Sequence, residues 1–217
     1  EEIIVENIES KNESLSYSMN MFSDDDLQNA TPHSNFNFLN KFIITKTKSE
    51  LLIVNIKRAY QRILYERILI EMNNKSNVSQ TLLFPVEFNF SQTDFNILFK
   101  LKETLSHLGF IFEKFTKNQI EVSGIHPVFK HDELELFFNE MIENEILEFE
   151  NHSSSVNDHL AKLICFSKSL KINHLMNEKE QILLMNQLFA CKDSKFSPDK
   201  KKIYVSITEK EINNRFK

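Results

Sequence analysis

Glycine is nearly missing from this chain: 217 residues hold two, Gly109 and Gly124. A GxGxxG turn needs three glycines and a GxxxxGK[ST] loop needs two at close spacing, so neither backbone phosphate cradle can be written. Cysteine is equally scarce. Cys165 and Cys191 stand apart without a CxxC partner, which removes a disulfide framework and a Cys-based structural zinc site. No apolar run approaches the ~18 residues that cross a bilayer. The opening Glu1-Glu2 lacks the basic start of a secretory signal, so a cytoplasmic protein without membrane contact is expected. His33, His107, His126, His131, His152, His159 and His174 show no HxH or HExxH spacing, and the sequence singles out no catalytic Ser/His/Asp set.

What is present is 41% hydrophobic residues, with 20 phenylalanines, enough for a substantial core. The net charge of -5 is unevenly placed. Residues 1–35 carry eight acidic side chains against Lys11 alone, leaving 25 basic and 23 acidic of the chain's 26 and 31 for the remainder. That polar, acidic stretch reads as a linker or tail, as at the back of a longer protein. A remainder near neutrality lacks the broad positive field that grips DNA unaided.

Order is expected from Phe36. Phe36 to Ile44 and Leu51 to Val54 suit two strands joined by a turn at Lys46 to Ser49. From Lys57 to Asn73 apolar residues recur at helical steps. Gln80 to Phe88 suits a strand, and Ser91 with Asp94 opens a helix that Gly109 stops. A hairpin about Lys117-Asn118 and a helix from His131 to Phe149 complete a middle block. Helices over Asp158 to Leu170 and Glu178 to Ala190, a strand over Ile203 to Ile207, and a Thr208/Glu211 capping box follow. The first and third blocks are each too small to stand alone. The expected class is α+β in two α/β lobes: a discontinuous lobe from 36–78 and 153–217, and an inserted lobe at 79–152.

Three stretches in this order resemble the C-terminal dimerisation region of MutL-type DNA mismatch repair proteins. Asn55 to Glu66 falls where the family carries DQHAxxERxxYE, and its Arg62-Ile63-Leu64-Tyr65-Glu66 half matches. Gln80-Thr81-Leu82-Leu83-Phe84-Pro85-Val86 is similar to the strand entering the family's middle lobe. Met176 to Glu180, Gln187-Leu188-Phe189-Ala190-Cys191 and Ser197-Pro198-Asp199 to Lys202 resemble its closing segments. The likeness spans about residues 36–217 and implies that the two-ended lobe dimerises while the inserted lobe is regulatory.

In nuclease members of the family these motifs hold divalent metals that activate water. Here Asn55 replaces the Asp, Lys57 the His and Gln61 the first Glu, leaving Glu66, and a lysine ammonium offers a metal no lone pair. No catalytic or metal residues are therefore assigned. Glu66, Cys165 and Asp199 are the remnant candidates for a residual metal-dependent nicking endonuclease, the alternative reading. Gln80, Leu82 and Pro85 have the form that docks relatives onto the replication sliding clamp, although a buried strand start explains them equally. Lys200, Lys201 and Lys202, with Lys192 and Lys195, could contact a DNA backbone weakly, against the plainer reading of a solvated loop.

The expected function is a non-catalytic homodimerisation and partner-docking module, no enzyme in itself and free of cofactor. The resemblance implies an N-terminal ATPase using ATP and Mg beyond this sequence, other mismatch repair proteins as partners, and a place near the nucleoid.

Overall fold

The chain's computed structural model describes residues 35–47, 50–116, 118–144, 156–170 and 176–217. The acidic stretch 1–34, the turn tip at 48–49, Lys117, the expected continuation of a helix to Phe149, and the polar link at 152–155 lie outside the described residues.

Strand β1 (Phe36–Phe38), β2 (Phe42–Lys46), β3 (Glu50–Asn55) and β7 (Tyr204–Thr208) form an antiparallel sheet in the order β1-β2-β3-β7. Both ends of the described chain thus contribute to one sheet. The sequence suggests one strand from Phe36 to Ile44; the structure breaks it at Leu39 and Asn40, which turn at φ 57° and 53°. Asn40 carries the usual signal for that conformation but leucine does not, and the Asn37 side chain steadies the turn by accepting from the Asn40 amide.

A second sheet, β4 (Gln80–Asn89), β5 (Ile111–Thr116) and β6 (Gln119–Ile125), is ordered β4-β6-β5. Its hairpin turns at Asn118, φ 65°. Gly109 leaves helix α2 (Gln92–His107) at φ 101°, and the Val78 carbonyl oxygen stands where a Cβ would collide with it, so only glycine fits. Ser91 caps α2 by accepting from the Asp94 amide. The helix expected from His131 starts with a 3₁₀ turn, His131–Glu133, before α3 (Leu134–Glu143).

Helix α1 (Ile56–Asn73) ties the two sheets together. Its first turns place Ile56 and Ala59 in a core with Ile43, Leu52, Val54 and Ile203, joined by Leu184, Met185 and Leu188 of α5 (Glu178–Ala190). Its later turns place Leu64, Ile68 and Met72 in the larger core, among α2, α3 and the second sheet. Helix α4 (Val156–Ser169) follows the middle block, and its buried Leu160, Ala161, Ile164 and Cys165 belong to that larger core. Much of the phenylalanine excess is here: Phe110, Phe129, Phe137 and Phe138 contact one another at ring separations of 4.5 to 5.9 Å. A short α6 (Glu209–Asn214) closes the chain behind the Thr208/Glu211 capping box.

Candidate functional site

The altered motif lies at the start of α1, and each altered residue has a local use there. Asn55 is the N-cap, its side-chain oxygen accepting from the Arg58 amide at 3.0 Å. An aspartate would cap equally well. The asparagine therefore keeps the helix start while removing a carboxylate. Asn55→Ala should cost about 1 kcal/mol of stability in urea denaturation, while Asn55→Asp should cost little. Lys57 is exposed. Gln61 is buried and donates from Nε2 to the Ser169 hydroxyl at 2.9 Å, and that hydroxyl donates on to the Phe166 carbonyl. A glutamate there would be an acceptor only and would bring a carboxylate into a site 6% exposed.

The matching half of the motif acts as a clasp. Arg62, 6% exposed, donates from Nε to the Phe196 carbonyl at 2.7 Å and lies 3.5 Å from both the Glu66 and Asp193 carboxylates. Glu66 accepts the Lys192 amide at 2.8 Å and the Asp193 amide at 3.2 Å. Asp193 in turn accepts the Lys195 and Phe196 amides. One helical turn, Arg62 to Glu66, thus fixes the loop that joins α5 to β7. Tyr65 bonds to Asp158 of α4, and burial followed by that carboxylate raises the phenol's pKa well above its ordinary value.

The remnant candidates take separate structural roles. Cys165 is fully buried and hydrogen-bonds the Lys162 carbonyl, and burial pushes its thiol up to about 12. Burial, then the Glu66 charge, pushes the Cys191 thiol to about 12 as well. Both are protonated at neutral pH, the form that binds metals poorly. Asp199 bonds the buried Ser197 hydroxyl and pairs with Lys201 at 2.6 Å. Burial would raise its pKa, but Lys201 and Ser197 outweigh that and hold it below the usual carboxylate range. Among the described residues no group of three or more His, Cys, Asp and Glu side chains is placed to hold a metal ion.

At Gln80, Leu82 and Pro85, the residues that the sequence singles out, the structure changes which side chains are presented. Thr81 pairs with Gly124 and Val86 with Val122, so residues 82–85 bulge from the sheet. Leu82 packs half-buried against the larger core, while Leu83 and Phe84 stand 88% and 75% exposed beside exposed Gln80 and Pro85. Pro85, which has no N–H to give the ladder, is the one residue type here that suits a bulge, whereas Leu82, Leu83 and Phe84 read as a buried strand. Among the closing lysines, Lys200 turns at φ 63°, and Lys202 uses its carbonyl to accept from Arg58 at 2.7 Å.

One face of the first sheet is apolar across its middle rows, with Lys46 beside Leu51 and Asn55 beside Phe42 as its polar members. Phe36, Ile44, Ile53 and Val205 are successive register partners across all four strands, and Leu51 pairs with Ile207 in the next row of the same face. The opposite face supplies Ile43, Leu52 and Val54 to the core. On the apolar outer face Phe36, Phe38 and Val205 are 61%, 45% and 47% exposed, and Ile44, Leu51, Ile53 and Ile207 are partly so.

This fold, a sheet from both ends of the described chain with a three-stranded sheet between them in sequence, accompanies a family match over residues 36–176 to the MutL C terminal dimerisation domain. The chain belongs to that family. It is similar to the DNA mismatch repair protein MutL of Christiangramia forsetii, 32% identical over 86% of this chain and 30% of that protein. MutL of Flavobacterium johnsoniae is 33% identical over 90% of this chain and 30% of its own length, and MutL of Flavobacterium psychrophilum 31% over 94% and 33%. The chain spans about a third of the length of these curated relatives. No helix among the described residues is long and apolar enough to cross a membrane.

Proposed function

We propose that this chain is the homodimerisation and partner-docking module of a MutL-like mismatch repair protein, and that two copies pair through the outer face of the four-stranded sheet. The observation that carries the reading is the apolar row from Phe36 through Ile44 and Ile53 to Val205. Strands covered on one side alternate apolar and polar, whereas Phe42-Ile43-Ile44 and Leu51-Leu52-Ile53-Val54 are apolar on both sides, as strands covered twice are. The second cover is another copy. A stable pair of this kind removes on the order of 1,200–2,000 Å² from water. Sedimentation equilibrium at micromolar concentration should return twice the 25.6 kDa mass of the chain; a single-chain mass across that range rejects the reading.

Partner docking is assigned to the bulge at residues 82–85. Exposed Leu83 and Phe84, flanked by Gln80 and Pro85, offer an extended segment with two apolar side chains ready to enter a pocket, and the replication sliding clamp is the partner that the family resemblance suggests. Leu83→Ala with Phe84→Ala should weaken binding to the clamp at least about tenfold while leaving the dimer intact. Surface plasmon resonance against immobilised clamp checks this, and unchanged affinity removes the segment from the contact. The module acts without metal chemistry in this reading. Its support is the occupation of Glu66 by two backbone amides and of Asp199 by Ser197 and Lys201. The ATP- and Mg-using step of such a protein is assigned to a domain outside this sequence, with the acidic stretch 1–35 as its tether.

A further inference from the structure

Where the altered motif lies, the surface is concave and sets basic side chains among apolar ones such as Phe42, Ile56 and Phe166. A cleft of about 740 Å³ is lined by Lys41, Lys57, Arg58 and Lys201, with Asn55 at its wall and Asp199 as its carboxylate among the described residues. Asp199 already holds Lys201. The four cations come from three segments far apart in sequence, and hydrogen bonds to backbone carbonyls lock those segments together. The Ile56 amide donates to the Lys41 carbonyl at 3.0 Å, the Asn55 amide to the Ile203 carbonyl at 2.8 Å, and the Arg58 guanidinium to the Lys202 carbonyl at 2.7 Å. The frame around the cleft is therefore fixed, while Lys41 and Lys57 are exposed at its edge.

We propose that this cleft is a metal-free seat for phosphate groups. Four cations against one engaged carboxylate give a local excess of positive charge in a chain whose overall charge is negative, and a concave wall of low dielectric focuses that field outward. Arg58 supplies a planar fork suited to two phosphate oxygens, and the lysines supply mobile point charges. The first turn of the 18-residue helix α1 adds its positive end to the same cleft. The seat differs from the lysine stretch at 200–202: of those three only Lys201 lines it. Binding here requires no bond to break, so the seat holds a phosphodiester or a free phosphate compound without cutting it.

The test uses the full chain and two probes, a fluorescein-labelled DNA duplex followed by anisotropy and inorganic pyrophosphate followed by calorimetry. Lys41→Glu with Lys57→Glu changes two exposed residues, and an unchanged melting temperature verifies the fold. Lys41→Gln with Lys57→Gln is the milder second variant. The expected result is salt-sensitive duplex binding displaced by pyrophosphate, weakened at least about tenfold by the charge reversals, with the log–log salt slope reduced by about two. Lys200→Glu with Lys202→Glu should weaken it far less. Pyrophosphate binding lost in the same variants, without duplex binding, would identify a free phosphate compound as the ligand and still uphold the seat. Neither probe binding, both binding the Lys41/Lys57 variants unchanged, or duplex binding that pyrophosphate cannot displace would overturn it.

Discussion

Ile53→Glu should turn the dimer into a monomer. Ile53 lies in the middle of the apolar row, paired with Ile44 on one side and Val205 on the other. In a two-fold pairing each dimer carries the change twice. Removing two central side chains from the interface, at about 2 kcal/mol each, weakens the dissociation constant roughly a thousandfold, and a glutamate under the partner would also be desolvated without a counter-charge. The side chain points away from the core that Leu52 and Val54 fill, so the subunit itself should keep its fold. Sedimentation velocity on wild type and variant reads the change; a variant that still dimerises at wild-type concentration places the interface elsewhere. Ser206→Glu is the matched control: Ser206 is exposed and pairs with Leu52 on the opposite side of the sheet, and dimerisation should survive it.

Arg62→Ala should be among the most damaging substitutions to the subunit's own stability. The guanidinium is 6% exposed and serves the Phe196 carbonyl and the Glu66 and Asp193 carboxylates together. Removing it leaves Glu66, whose side chain is 14% exposed, without its cation, and frees the loop between α5 and β7. Breaking a buried ion pair on one side costs about 3 kcal/mol or more, and urea denaturation should show that loss as a lower midpoint at similar slope. Arg62→Lys should recover only part of it, because an ammonium cannot serve three acceptors in the directions that the planar fork reaches. A loss under about 1 kcal/mol, the range of surface pairs, would mean that Arg62 is not the clasp. Because β7 is the edge strand carrying Val205 and Ile207, the same variant should also weaken dimerisation.

These two residues show what the sequence could and could not convey. The helix carrying Arg62 was legible from its apolar period, and the resemblance marked Arg62 to Glu66 as a matching motif, but its role as a clasp on residues 192–196 depends on groups more than about 120 positions away. The joining of residues 50–55 with 204–208 into one sheet was legible in outline, since neither block could bury its apolar residues alone. The same runs suggested strands and no more, and only the register showed which residues share the outer face. Ser91, Gly109 and Asn118 announced their turns through residue chemistry. Leu39 did not, being a leucine in a left-handed turn, and Leu83 with Phe84 did not, because only Pro85 beside them hints at a bulge and it does not say which apolar side chains turn outward. The basic cleft was illegible for a further reason: Lys41, Lys57, Arg58 and Lys201 are ordinary surface residues until three segments are tied together.

That two copies meet at the outer sheet face is tested most directly by mixing methyl-labelled, deuterated chain with unlabelled chain and recording cross-saturation between them. Transfer is expected to the methyls of Ile44, Leu51, Ile53, Val205 and Ile207. Transfer confined to Leu83, Ile111 or Leu136, or no transfer between copies, would contradict the pairing.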